Sequence, residues 1–193
     1  MGSQQAAAGT THASRVQASK ATAFGGFHYL VALAVAVVAL IVYLTTLAGG
    51  VLPGEPAQTL LGLSGAEANL VVRHVVWRKL VGLAVVAGGS SFSLVVNAFC
   101  AVVSALGVGL MYLVAAALVG LMLDGDHLKS ALGVQSRKDA EAMSAIAGVF
   151  AAVTLAFCAP YWVAATQPYI HSFYLLWLLA SIFLSLRFVG TMK

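Results

Sequence analysis

Charge is the scarcest commodity in this 193-residue chain, at 8% of all residues. A water-soluble domain carries about 25% charged residues, so the chain lacks the polar surface to cover a globule in water. Cysteine is nearly absent too. Cys100 and Cys158 are the two present, and both fall inside apolar runs. Structural disulfides need an oxidising aqueous setting, so these two read as free packing residues. Neither Asn69 nor Asn97 begins an N-x-[ST] acceptor, which leaves no glycosylation signal. Walker loops, dinucleotide fingerprints, CxxC pairs and HExxH are all missing, and with them the phosphate-, nucleotide- and metal-based chemistries that those spacings serve.

What is present is hydrocarbon: 61% hydrophobic residues and a mean hydropathy of +0.97. Three long stretches contain no Asp, Glu, Lys or Arg: Phe27 to Leu52, Leu80 to Leu123 and Ala142 to Leu186. A crossing of a 30 Å hydrocarbon layer takes about 20 apolar residues. The first stretch is one crossing, over about 27–50, ended by Gly49-Gly50 and Pro53. The second would be about 66 Å long as one helix, twice the layer, so a hairpin over about 80–98 and 103–123 is expected, turning near Asn97. The third divides at Pro160 and Pro168, which bracket YWVAATQ. Proline removes a backbone donor and Tyr and Trp favour headgroup depth, so helices over about 142–160 and 169–188 follow. The expected architecture is an all-α transmembrane bundle of about five crossings, with four as the alternative, preceded by a disordered polar tail over 1–26.

Two segments carry helix-start signals. Ser64-Gly65-Ala66-Glu67 matches a capping box and opens an expected interfacial helix over about 65–79, where valines alternate with Arg73, Arg78 and Lys79 beside Trp77. Ser136-Arg137-Lys138-Asp139 is a second cap. The tail is acid-free and Ser-rich but holds Arg15 and Lys20 as its only cations, which is thin for a transit segment. Ala6 stands where a myristoylation motif needs Ser or Thr.

Orientation follows the basic residues of short loops. With five crossings, eight Lys and Arg lie on the side of the C-terminus against Arg15 and Lys20 opposite. With four crossings the balance is seven to three, both termini being cytoplasmic. A net charge of +4 spread over loops suits an anionic lipid surface rather than nucleic acid, which requires basic residues clustered with aromatics. The chain is therefore expected in a membrane, whether plasma membrane or organelle (the mitochondrial inner membrane included), with lipids and the other subunits of a membrane complex as its partners.

Small residues supply the expected helix contacts, because lipid gives no hydrophobic drive between helices. Ser144, Gly148, Ala152 and Ala156 repeat every fourth residue, and Ala101, Ala105 and Gly109 form a shorter ladder. The crossings contain no Asp, Glu or Lys, which argues against proton pumps, cation-coupled carriers and retinal proteins. His28 and His171 open the first and last crossings and are weak candidates for haem or metal ligation. Five crossings would put both at one membrane surface. Asp124-Gly125-Asp126-His127 offers ligand types, but Asp-Gly is first a turn signal. No metal, cofactor or catalytic residue is assigned. The chain does not carry the cysteine or intramembrane charge signatures of claudin, MARVEL or amastin-type proteins. The functional expectation is a non-enzymatic structural or assembly component of a membrane complex. The alternative is a carrier or channel for a neutral or lipid-like solute, in which Pro160, Pro168 and Gly88-Gly89 would mark broken helices.

Overall fold

A computed structural model describes residues 25–47, 55–64, 75–88, 92–123, 131, 133 and 136–191. Seven helices carry the described chain: α1 (Gly26–Thr45), α2 (Glu55–Ser64), α3 (Val75–Gly88), α4 (Phe92–Leu123), α5 (Arg137–Phe157), α6 (Ala159–Thr166) and α7 (His171–Thr191). Four of them, α1, α4, α5 and α7, are long and apolar enough to cross a membrane. The chain is thus an all-α membrane bundle, with four spans by length and composition among the described residues.

The fifth crossing depended on a turn at Asn97, and here the structure differs. Phe92–Leu123 is one unbroken 32-residue helix, about 48 Å at 1.5 Å per residue. Asn97 is buried in the bundle at 1% exposure, so its polarity marks an interior position and not a chain reversal. The helical run ahead of it, α3, has only 14 residues, about 21 Å and too short to span. YWVAATQ also differs from expectation: most of it is helical, in α6. Pro160 sits in the first turn of α6, where the missing N–H costs no hydrogen bond.

α4 is the central post. Its buried residues run from Val96 to Leu123, and α1, α5, α6, α7 and α3 all pack on it. Small residues set how closely they come. A Cβ on Gly109 would lie 3.1 Å from the carbonyl oxygen of Ala32 and 3.2 Å from the Ala36 Cβ, and one on Gly148 would lie 2.8 Å from two ring carbons of Tyr112. Ser144, Gly148, Ala152 and Ala156 are the buried residues of α5, and Ala101 and Ala105 belong with Tyr112 and Ala152 to the main core cluster. The larger side chains of α1, α5 and α7, such as Leu33, Phe150 and Leu184, point outward and are exposed, as lipid-facing positions are.

α5 begins with a reciprocal cap. Ser136 Oγ accepts from the Asp139 backbone N–H at 3.2 Å, and the Ser136 N–H donates to Asp139 Oδ2 at 3.0 Å. That satisfies two of the donors a helix start leaves open. Ser64 is the last residue of α2. The expected box that follows it, and most of the expected helix over 65–79, lie outside the described residues, as do residues 1–24 and the Asp124-Gly125-Asp126-His127 motif.

Contacts between helix ends fix which ends lie together. Arg187 Nη1, near the end of α7, donates to the Tyr29 hydroxyl in the first turn of α1 at 2.7 Å. At the other end Cys100 Sγ, in the first third of α4, donates to the carbonyl of Tyr169, just before α7, at 3.9 Å. The start of α1 and the end of α7 therefore share one end of the bundle. Among the described residues Arg137, Lys138 and Arg187 lie at that end, against Arg78 and Lys79 at the other, where α2, α3 and α6 sit; by the rule that basic residues favour the inner side, the first is taken as the cytoplasmic end.

Candidate functional site at the non-cytoplasmic end

The two histidines do not meet. His28 lies at the cytoplasmic end, buried, with Nδ1 2.9 Å from the Tyr112 hydroxyl. His171 starts α7 at the other end, exposed, with its ring stacked on Tyr169 at 5.9 Å. A shared membrane surface required five crossings; with four spans a bilayer separates them. No paired-ligand site can be built from them, and among the described residues no three metal-ligating side chains cluster. His28 is tied instead into the α1–α4 contact.

The non-cytoplasmic end carries α2, α3 and α6, the three helices of the described chain too short to span. α3 is anchored there by Trp77, fully buried between Phe99 of α4 (ring centroids 5.3 Å apart) and Phe173 of α7 (5.6 Å). Leu60 of α2, Val81 of α3, Val96 and Cys100 of α4 complete the same cluster. α2, whose first residue is Glu55, thus reaches the cluster through Leu60. Aromatic area dominates because each ring buries a large apolar surface with few rotatable bonds.

Beside this cluster α6 folds back onto the bundle. Tyr161 is buried and its hydroxyl donates to the Ser104 carbonyl at 2.7 Å. Burial, with Tyr43 and Cys158 nearby, pushes the phenol above its ordinary range, while the bond to Ser104 works the other way. It remains a neutral donor at physiological pH. Gly107 gives it room, since a Cβ there would run into the Tyr161 hydroxyl. Tyr43 of α1 meets Trp162 edge-on at 5.6 Å and donates to the Ala156 carbonyl at 3.0 Å. A hollow of about 500 Å³ opens between Ala159, Pro160, Val163, Ala164, Tyr169 and His171. Its lining is apolar apart from the last two residues.

Three buried polar atoms here lack a hydrogen-bond partner: Trp77 Nε1, Ser104 Oγ and Gln167 Oε1. Buried polar atoms are nearly always partnered, and among the described residues these three lie in α3, α4 and the α6–α7 turn. Tyr161 and Gln167 stood out in the sequence only as part of YWVAATQ, read as a break between helices, and Tyr43 and Tyr112 not at all. A hydroxyl or amide within or beside an apolar run is itself the signal, because it needs a partner where lipid offers none.

The arrangement also limits the chemistry. Apart from Asp139 and Glu141 near the start of α5 the spans hold no carboxylate, so acid–base work has to come from the ends. Among the described residues the acids are Glu55, the first residue of α2, and Asp139 and Glu141 near the start of α5.

Comparison with known proteins enters at this point. The family model described as the protein O-mannosyl-transferase TMEM260 N-terminal domain matches residues 78–193, more than half of the chain, from within α3 through α7. No curated protein and no solved structure matches. The match corrects the expectation of a non-enzymatic protein: the family is described by a transferase activity and points to an enzyme. That expectation rested on the uncharged spans, which exclude charge movement through the bilayer and say nothing of chemistry at its surface.

Proposed function

Because the chain belongs to the TMEM260 N-terminal domain family, we propose that it is the membrane-embedded part of an enzyme that transfers a mannosyl group to a protein hydroxyl at the non-cytoplasmic surface. The family match carries the reading. The gathering of α2, α3 and α6 at that end supports it by supplying a built surface above the spans.

In O-glycosyl transfer the bond from the sugar's anomeric carbon to its leaving group breaks, and a bond to the acceptor oxygen forms. The acceptor hydroxyl must lose its proton to a base held within hydrogen-bond reach. On the proposed side the carboxylates are Glu55 and Glu67. Glu55 is the candidate among the described residues, as the first residue of α2, whose Leu60 joins the cluster of Trp77 and Phe173. A base on a supported element works better than one on a loop, because a fixed geometry lowers the cost of reaching the transition state.

The test is mannosyl transfer by the full-length protein to a Ser/Thr-containing peptide, with radiolabelled nucleotide-linked and lipid-linked mannose in separate reactions. Glu55→Gln should lower the rate by about 10²- to 10⁴-fold, the usual contribution of a general base, with unfolding unchanged. Full activity in both Glu55→Gln and Glu67→Gln sinks the assignment of the base. Absence of transfer from either donor in the wild type sinks the function itself.

A further inference from the structure

We propose that α3 is a docking face for anionic phospholipid of the non-cytoplasmic leaflet, with Arg78 and Lys79 on the lipid phosphates and Val76, Leu80 and Leu83 against the acyl chains. The argument starts from a helix with two apolar faces. Trp77 and Val81 are buried on α4 and α7, whereas Val75, Val76, Leu80, Leu83 and Val86 are exposed, Leu83 at 68% and Val86 at 85%. Helical spacing stacks Val76, Leu80 and Leu83 on one stripe. At a water-facing position such a stripe would be costly, because large apolar side chains are driven out of water in proportion to their exposed area. α3 cannot hide the stripe by spanning, because it has 14 residues.

Depth is fixed by the aromatic anchor. Trp77 packs on Phe173, in the first turn of α7, and on Phe99, in the second to third turn of α4. The start of α3 therefore sits at the level where two spans enter the bilayer, the headgroup zone that Trp favours. Arg78 and Lys79 follow directly and are exposed. From Ala68 to Leu123 the sequence has no acid to neutralise them. Cations at headgroup depth beside an apolar stripe are the composition of an interfacial helix, and long basic stems let the charge reach phosphate while the methylenes stay in the apolar zone. Phosphate supplies the complementary charge, and the continuity of the stripe with the spans makes a bilayer lipid the occupant rather than a free anion.

The test uses the whole chain with Cys100 and Cys158 replaced by Ala and a nitroxide attached at Leu83→Cys or Val76→Cys. It is reconstituted in phosphatidylcholine nanodiscs with or without phosphatidylglycerol. The expected result is a label reached by oxygen more readily than by a water-soluble nickel complex, together with enrichment of phosphatidylglycerol on the purified protein. Arg78→Gln and Lys79→Gln should each lower that enrichment about fivefold, the effect of one basic residue near an anionic surface. A label open to nickel places the stripe in water and overturns the proposal. A label shielded from both quenchers means a protein covers it and also overturns it. So does displacement of phosphatidylglycerol by inorganic phosphate, which would make the pair a free-anion site. Retained Trp fluorescence and helical circular dichroism in the Gln variants exclude unfolding as the cause, and mannosyl transfer is not the readout.

Discussion

Gly148→Ala is the sharpest probe of the bundle, because the added methyl has nowhere to go. Its carbon would stand 2.8 Å from Cδ2 and Cε2 of Tyr112 and 3.0 Å from the Tyr112 carbonyl oxygen. Carbon pairs rest at about 3.5–4.0 Å, so α5 and α4 must part by roughly 0.7 Å or the ring must turn. The ring is held: Tyr112 is fully buried and its hydroxyl is bonded to His28. Overpacking of this kind costs about 1–3 kcal/mol. Against it runs the helix preference for Ala over Gly, about 1 kcal/mol. Gly120→Ala in α4 measures that preference alone, since a Cβ there meets nothing within 4 Å.

Reversible unfolding in mixed micelles, followed by circular dichroism, should thus put Gly148→Ala below Gly120→Ala by about 1–3 kcal/mol. Tyr112→Ala removes the obstructing ring, so in that background much of the penalty of Gly148→Ala should vanish, a coupling that a double-mutant cycle reads directly. Gly148→Leu should prevent assembly of α5 on α4. A Gly148→Ala protein within about 0.5 kcal/mol of Gly120→Ala, the range of substitutions that touch nothing, refutes the close approach of these helices.

Three further outcomes follow from the same geometry. Tyr161→Phe removes the bond to Ser104 and should cost about 1 kcal/mol in the same unfolding assay. Burial raises the Tyr161 pKa, so its contribution is complete below the ordinary phenol value near pH 10 and declines as pH climbs above it; the alkaline loss should be shallower in the Phe variant. Ser136→Ala opens the cap of α5 and should cost about 0.5–2 kcal/mol, read as faster hydrogen exchange at the amides of residues 137–140. In a chain lacking its native cysteines, impermeant maleimide should reach Arg78→Cys and Lys138→Cys from opposite sides of the membrane, whereas labelling from one side would restore the five-crossing count.

The helical membrane class was legible because uncharged runs of this length can satisfy their backbone only as helices. The ladder Ser144–Gly148–Ala152–Ala156 was legible as a spacing, though not its partner, since which ring fills the groove opposite a glycine depends on the register of two distant helices. Asn97 was misread because a sequence alone does not tell a polar side chain at a turn from one inside a bundle. The length argument assumed that a helix must fit the hydrocarbon layer, and α4 exceeds it. His28 and His171 share a surface with five crossings and not with the alternative of four, since each added crossing inverts everything after it. α2 escaped notice because its ten residues, EPAQTLLGLS, have neither the length nor the apolar density of a span. Tyr161 became meaningful only with Ser104, 57 positions away.

The enzyme reading and the uncharged spans are two consequences of one division of labour. A bundle built on Gly, Ala and Ser contacts needs no intramembrane charge to hold together, and a charge placed there would cost about 2.5–3.5 kcal/mol with nothing to offset it. Polar chemistry is therefore driven to the ends of the helices, where water and headgroups solvate it. At the cytoplasmic end the polar contacts, Arg187 with Tyr29 and His28 with Tyr112, join helices to one another. At the opposite end Trp77, Ser104 and Gln167 keep buried polar atoms without partners, beneath short helices that add no crossing. Stability alone gives no reason to retain unsatisfied groups, each of which costs about 1–3 kcal/mol. Among the described residues these unpartnered atoms gather where α2, α3 and α6 sit, the end to which the proposed transfer is assigned.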